Sequence, residues 1–319
     1  MKSRSHPRSP APAKASTVDC RRHGRRLEAL CESLRARPHD ESEEFLRQAV
    51  LAAADLPAAL GSALDSFRSH GNREGYLLLR RLPLAARRNA EAHLALVGSR
   101  LGHLVGYLQE KNGALFHDIV PERDQENEQS AASSRVVLAL HTERCFHPHL
   151  PSHVLLLCLR PDPGGKAHTE IASVRRMLPL LPARHRPTLF QPLFRTGIDY
   201  SFGNVSTEKA NGPVMSVLYG DRKDPGLRFD LDLMAGLNER AHAALAAVKR
   251  AAQRACIGVR LAAGDLLIID NRRAVHGRGA FSARYDGRDR WLKRVYLVSD
   301  LDAIGADRRP GERVIRTQF

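Results

Sequence analysis

No run in this chain approaches the ~18 apolar residues of a membrane-spanning helix, and no apolar signal core follows its basic start. The sequence therefore predicts a protein that is neither embedded nor exported. Paired cysteines are missing too. Cys20, Cys31, Cys145, Cys158 and Cys256 are scattered, odd in number and without a C-x-x-C pair. That pattern excludes a disulfide framework and a structural zinc site, and it points to a reducing cytoplasm. Acidic residues are scarce at the start: residues 1–26 hold eight Lys/Arg against Asp19 alone, a net +7, which leaves only +8 of the total +15 to the rest. With Ser, Pro and Ala filling the gaps, residues 1–40 read as a basic, disordered arm that cannot bury enough apolar surface to order itself. An aromatic platform and a helix-turn-helix pattern are also absent, so the arm offers weak attraction to polyanions and no specific nucleic-acid partner. There is no internal repeat.

What is present suffices for one domain over residues 41–319. Apolar residues make up 43% of the chain, enough for a sizeable core. Helical spacing runs through Phe45, Leu46, Ala49, Val50 and Ala53, then Leu60, Leu64 and Phe67, with a break at Pro57. Further helices are expected over 91–107 and 238–254. Strand signals begin at 76–79 and then dominate, at 136–140, 153–159, 214–218 and 266–269. Many short strands with Gly/Pro turns favour a mainly β sandwich or barrel with flanking helices.

The chemistry concentrates in two short segments. Val136-Val-Leu-Ala-Leu140 leads as a strand into His141-Thr142-Glu143. Strand residues two apart share a face, so His141 and Glu143 project together, about 6.6 Å apart along the axis. Gly264 to Asn271 reads as a second apolar strand, and His276 follows where a turn could return a third ligand. Two imidazoles and a carboxylate on one face of an ion leave its other positions open, the vacancy that non-haem Fe(II) oxygenases require.

The surroundings of these residues carry more. His141-Thr-Glu-Arg-Cys-Phe-His-Pro-His149, Val154-Leu-Leu-Leu-Cys-Leu-Arg-Pro161 and the run from Thr169 to Val174 resemble the clavaminate synthase-like branch of the Fe(II)/2-oxoglutarate oxygenases. So do Ile269-Asp-Asn-Arg-Arg-Ala-Val-His-Gly-Arg278, Phe281, Arg284-Tyr-Asp-Gly287 and Asp289-Arg-Trp-Leu292. That branch includes arginine and asparagine β-hydroxylases of peptide-antibiotic pathways. The resemblance implies a double-stranded β-helix, a jelly-roll barrel, with His141, Glu143 and His276 as iron ligands. It also implies 2-oxoglutarate as cosubstrate, its carboxylates held by Thr169 and Arg290, with O2 as oxidant.

Electrostatics gives Arg290 an independent reason. The far carboxylate of 2-oxoglutarate would lie unpaired in an apolar barrel at a cost of several kcal/mol, and a guanidinium can meet it through two parallel hydrogen bonds. If 290–298 is extended, Arg290 and Arg294 share a face, about 13 Å apart. The resemblance assigns Arg294 to a substrate carboxylate and Gln109 to the substrate amine. It places Asp230 at the nitrogen-rich end of the substrate; an extended strand would put Asp232 on the same face. The arginine enzymes carry a second acid two positions earlier, where this chain has Arg228.

The Gly/Ser/Asn-rich stretch 196–212 has the composition of a lid. His147, His149 and His153 fall in a Pro-marked loop and are expected to play structural roles around the ligands. The expected activity is hydroxylation of a free polar or basic L-amino acid at Cβ, arginine-like or asparagine-like, in specialised metabolism. An oxidative cyclase or desaturase on the same iron, or a non-catalytic cupin-like sensor, is the alternative. Glu143 argues against a halogenase, which needs a small residue there.

Overall fold

The computed structural model describes residues 16–34, 40–84, 89–198, 202 and 209–317. Two sheets carry the architecture. The larger has eight strands: β1 (Thr17–Asp19), β2 (Tyr76–Arg80), β3 (His103–Tyr107), β4 (His117–Ile119), β6 (His153–Arg160), β9 (Leu266–Asp270), β11 (Trp291–Val298) and β12 (Val314–Ile315). Their order is β1-β2-β9-β6-β11-β3-β12, with β4 also pairing β11. The smaller sheet has the order β8-β7-β10-β5, from β5 (Leu138–His141), β7 (Thr169–Ser173), β8 (Ile257–Val259) and β10 (Ala274–Arg278).

Alternation along the strands builds three cores. In β6 and β9, Val154, Leu156, Leu267 and Ile269 face the small sheet, meeting Ile171, Ile257 and Ala274. Their neighbours Leu155, Leu157, Leu266 and Ile268 face the other way, against the helices α1 (Gly24–Ser33), α2 (Glu43–Ala52), α3 (Ala58–His70) and α4 (Ala90–Leu101). A sheet buried on both faces needs continuous apolar strands, which explains the unbroken Leu-Leu-Leu and Leu-Leu-Ile-Ile runs. The outer face of the small sheet, with Ala172 and Val275, packs on α5 (Glu239–Ala255). That helix starts where the Asn238 side chain accepts the Ala241 N–H at 2.9 Å. Among the described residues no single helix is long and apolar enough to cross a membrane.

Three expectations need correction. The disordered arm does not extend to residue 40: β1 pairs in parallel with β2, and α1 buries Leu27, Leu30 and Cys31 in the helix-side core. The basic residues of α1 lie on its outer face while an apolar stripe at helical spacing docks. Residues 1–15 and 35–39 lie outside the described residues. The helix expected over 91–107 ends at Leu101, and β3 follows Gly102. A Cβ at Gly102 would strike the Val298 carbonyl, so this close approach admits only glycine. The extended strand that would carry Asp230 and Asp232 on one face does not form: Asp230 makes a single bridge to His141, and residues 231–233 turn away.

Candidate metal and cosubstrate site

β5 and β10 pair antiparallel with His141 directly opposite His276, so one ladder brings together two imidazoles distant in sequence. Glu143 follows β5 by two residues. Its backbone is fixed by a buried amide: Asn271 Oδ1 accepts the Glu143 N–H at 2.8 Å, and Asn271 Nδ2 donates to the carbonyls of Glu143 and Pro151 at 3.1 and 2.9 Å. In the sequence Asn271 stood out only as the end of an apolar strand and as a member of the run Ile269–Arg278. Its role as the clamp on Glu143 needs the fold.

The donor atoms of His141, Glu143 and His276 all lie within 4.8 Å of one another. Glu143 Oε2 is 3.4 Å from His276 Nε2 and 4.0 Å from His141 Nε2. Atoms that share an ion at ~2.0–2.2 Å stand roughly 3 Å apart when adjacent and ~4.4 Å when opposite, and both Glu143 distances fall in that range. His141 Nδ1 lies 2.8 Å from the Ala139 carbonyl, which can only accept. The proton therefore sits on Nδ1 and leaves the Nε2 lone pair facing the other two groups. Burial opposes the charge on Glu143, but Arg294, His276 and Arg144 outweigh it and hold the carboxyl well below its ordinary range. Burial also pushes His276 down, towards the neutral form that binds metal.

One cavity of about 290 Å³ is lined by the three residues together with Thr169, Arg290, Arg294, Glu110, Arg144, Asp230 and Asp232. Arg290 lies just before β11 and is 8% exposed, with no hydrogen bond or ion pair to any described residue. Burial pushes its guanidinium down to about 10. Arg278, also buried on the cavity wall, donates instead to the Ser133 carbonyl and hydroxyl and to the Val136 carbonyl at 2.9 Å. Thr169 pairs with Arg278 across β7 and β10. A buried cation with no ion-pair partner among the described residues is stabilised by a carboxylate brought up to it.

Arg294 sits mid-strand in β11. Its Nη2 donates to Glu110 Oε1 at 2.5 Å, and its Nη1 lies 3.7 Å from Glu143 Oε2. Gln109 is not in the cavity: its Nε2 donates to the Thr317 carbonyl. The neighbouring Glu110 points inward instead, because the chain leaves β3 at Tyr107 and turns. Asp230 reaches the cavity, but as a turn cap: its Oδ1 accepts N–H groups of Asp232 and Leu233 at 2.9 and 2.7 Å. Asp232 is exposed at the rim. His147 stacks edge-on against Tyr107 with ring centroids 4.8 Å apart, His149 Nε2 meets Asp307 at 2.7 Å, and His153 is buried in β6. None of the three joins the metal-binding group. Of the expected lid, residues 199–201 and 203–208 lie outside the described residues.

Two imidazoles and a carboxylate beside a cation awaiting an anion define an oxygenase of the non-haem iron class. Residues 42–296 match the family described as Taurine catabolism dioxygenase TauD, TfdA family, and the chain belongs to it. It is an Fe(II)- and 2-oxoglutarate-dependent oxygenase. The chain is 37% identical to clavaminate synthase 2 of Streptomyces clavuligerus over 316 residues, 93% of this chain and 97% of the relative. It is 39% identical to L-asparagine oxygenase of Streptomyces coelicolor over 288 residues, 85% of each. A solved structure of asparagine oxygenase with Fe(II), 2S,3S-3-hydroxyasparagine and succinate superposes with a TM-score of 0.87 at 36% identity, covering 94% of this chain and 99% of that one.

Proposed function

We propose that this protein hydroxylates a free L-amino acid with a polar or basic side chain at Cβ, within a double-stranded β-helix formed by its two sheets. The observation that carries the reading is the pairing of opposite charges in one cavity: Arg294 and Glu110 stand side by side next to Glu143, a cation for an α-carboxylate and an anion for an α-ammonium. His141, Glu143 and His276 hold Fe(II). Arg290 takes the far carboxylate of 2-oxoglutarate, with Thr169 beside it. When bound, Fe(II) and 2-oxoglutarate supply the oxidising power that splits O2 between succinate plus CO2 and a new hydroxyl group on the substrate.

The chain's own groups do the positioning. Arg294 and Glu110 fix the backbone of the amino acid, which orients Cβ. The Tyr296 hydroxyl donates to Glu143 Oε1 at 3.1 Å and steadies the carboxylate. Leu156, Leu292 and Leu138 give the cavity apolar walls that exclude water. Asp230, at the rim, is the acid that meets a side-chain amide or cation. The five cysteines are all free, as a reducing cytoplasm would keep them.

The experiment is anaerobic loading with Fe(II) and 2-oxoglutarate, then exposure to air with a panel of L-amino acids, reading succinate and product mass. One amino acid should stimulate succinate formation and gain a single oxygen atom. A product two hydrogens lighter would replace hydroxylation with desaturation or cyclisation. No stimulation by any amino acid would overturn the reading.

A further inference from the structure

His117 belongs to none of the motifs above and lines no part of the cavity, yet it stands directly opposite Arg294 across the ladder of β4 and β11. The imidazole is 1% exposed. Its Nε2 lies 2.9 Å from the Ala114 carbonyl, which can only accept, so the proton sits there and Nδ1 is left as an acceptor. Arg294 Nη2 donates to that Nδ1 at 3.0 Å. Burial and the adjacent Arg294 charge push the imidazole from 6.5 down to about 4, so at neutral pH it is uncharged and keeps its lone pair. The ring also packs edge-on against Tyr296, with centroids 5.5 Å apart.

The same Nη2 donates to Glu110 Oε1 at 2.5 Å, so both of its N–H bonds are directed and the plane of the guanidinium is set. Arg294 Nε, by contrast, is buried without a hydrogen-bond partner among the described residues, and Nη1 stands 3.7 Å from Glu143 Oε2. Donors held open on a fixed plane are what an incoming α-carboxylate needs, because a guanidinium free to rotate would have to be ordered at the moment of binding. The strand that carries His117 is itself pinned. Asp118, the next residue, accepts from Trp291 Nε1 at 2.7 Å and lies 3.2 Å from Nζ of Lys293, its partner in the ladder.

We propose that His117 is a positioning residue for the amino acid: as a neutral acceptor behind Arg294, it sets the plane on which that guanidinium receives the α-carboxylate. This rests on the hydroxylase reading, in which Arg294 binds that carboxylate, and deepens it. Every L-amino acid brings the same carboxylate, so His117 acts on all of them by the same factor. The test is calorimetric titration of the anaerobic protein, loaded with Fe(II) and 2-oxoglutarate, where no turnover occurs. The probes are L-asparagine, L-arginine, L-lysine and whichever amino acid best stimulates succinate formation. Wild type is compared with His117→Phe, which keeps a ring against Tyr296 but offers no acceptor, and with His117→Asn, whose Oδ1 takes the place of Nδ1. Neither variant keeps the Nε2 donor to Ala114. His117→Phe should weaken every amino acid that binds wild type by about tenfold or more, the loss of one hydrogen bond to a charged group, with their ranking and the affinities for iron and 2-oxoglutarate unchanged. His117→Asn should bind them as wild type does. Two variants that weaken binding alike would make His117 a prop for the Ala114 turn and overturn the proposal. So would a folded His117→Phe with wild-type affinity, or one that weakens 2-oxoglutarate as much as the amino acid. If His117→Phe does not fold, a comparable loss in His117→Asn overturns the proposal by itself. If no amino acid stimulates succinate formation in the wild type, the failure lies in the hydroxylase reading, and this proposal falls with it.

Discussion

Replacing Arg290 with leucine should act in opposite directions on cosubstrate affinity and on the stability of the cofactor-free protein. In the structure the guanidinium is 8% exposed, no carboxylate of the described residues lies within ion-pair distance, and Asp162 offsets burial only from further away. Burial moves it from 12.5 to about 10, so holding this charge in place costs roughly 3 kcal/mol. At neutral pH it is still protonated, and the far carboxylate of 2-oxoglutarate would repay that cost. Leucine leaves the carboxylate unpaired, a loss of about 3–5 kcal/mol for a broken buried pair. Arg278 is a second cation on the same wall, which favours the lower end of that range. The KM for 2-oxoglutarate should therefore rise by roughly a hundredfold or more, with the amino-acid KM moving far less. Tm without cosubstrate should rise, and the further rise that 2-oxoglutarate gives the wild type should vanish. Succinate formation against 2-oxoglutarate concentration, with thermal melts in parallel, measures both. An unchanged KM for 2-oxoglutarate, or one shifted only for the amino acid, refutes the assignment.

Three other perturbations probe the surroundings. In Gly277→Ala the new methyl would lie 2.5 Å from the Leu138 carbonyl and 3.2 Å from that of Ala139, which holds His141. Forcing β5 from β10 should weaken iron affinity about tenfold or more without touching a ligand, and equal iron binding would show that the ladder does not set the metal geometry. Asp230→Asn keeps the Oδ1 that caps the turn, so the fold should survive while the ratio of succinate to hydroxylated product rises; unchanged coupling and substrate ranking would remove Asp230 from substrate recognition. Burial pushes His153 from 6.5 to about 4. Between those values the unfolded chain takes a proton that the folded protein refuses, so its stability contribution is full above pH 6.5 and is lost as pH falls to about 4. His153→Phe should flatten the fall of Tm across that window, and an unaltered slope would assign the acid sensitivity elsewhere.

That His141, Glu143 and His276 come together was legible because strand periodicity alone places the first two on one side, and because the run containing His276 is specific. Arg290 could be argued from charge alone. The extended strand that would have set Asp232 beside Asp230 does not form, for a local reason: an aspartate that accepts two backbone N–H groups of the following residues favours a turn over a ladder. Gln109 lies outside the cavity, bonded to the Thr317 carbonyl, because the chain leaves its strand at Tyr107 and turns, which residue counting cannot follow. In the first forty residues, averaged charge and composition hid the spacing of Leu27, Leu30, Cys31 and Leu34, which is the period of a docked helix. Glu110 and Arg144 carry no pattern of their own, because their meaning comes from residues brought close only by the sheets.

β5 is the outermost strand of its sheet, four residues long, and its ladder with β10 shifts register between His276 and Arg278. So short an edge strand opens readily. An ion gripped by His141 and His276 would rivet that edge to its neighbour, so metal binding and the closing of β5 are two descriptions of one equilibrium. Loading with Fe(II) should slow amide exchange at residues 138–141 more than anywhere in the large sheet, and loss of the metal should be limited by the rate at which this edge frays.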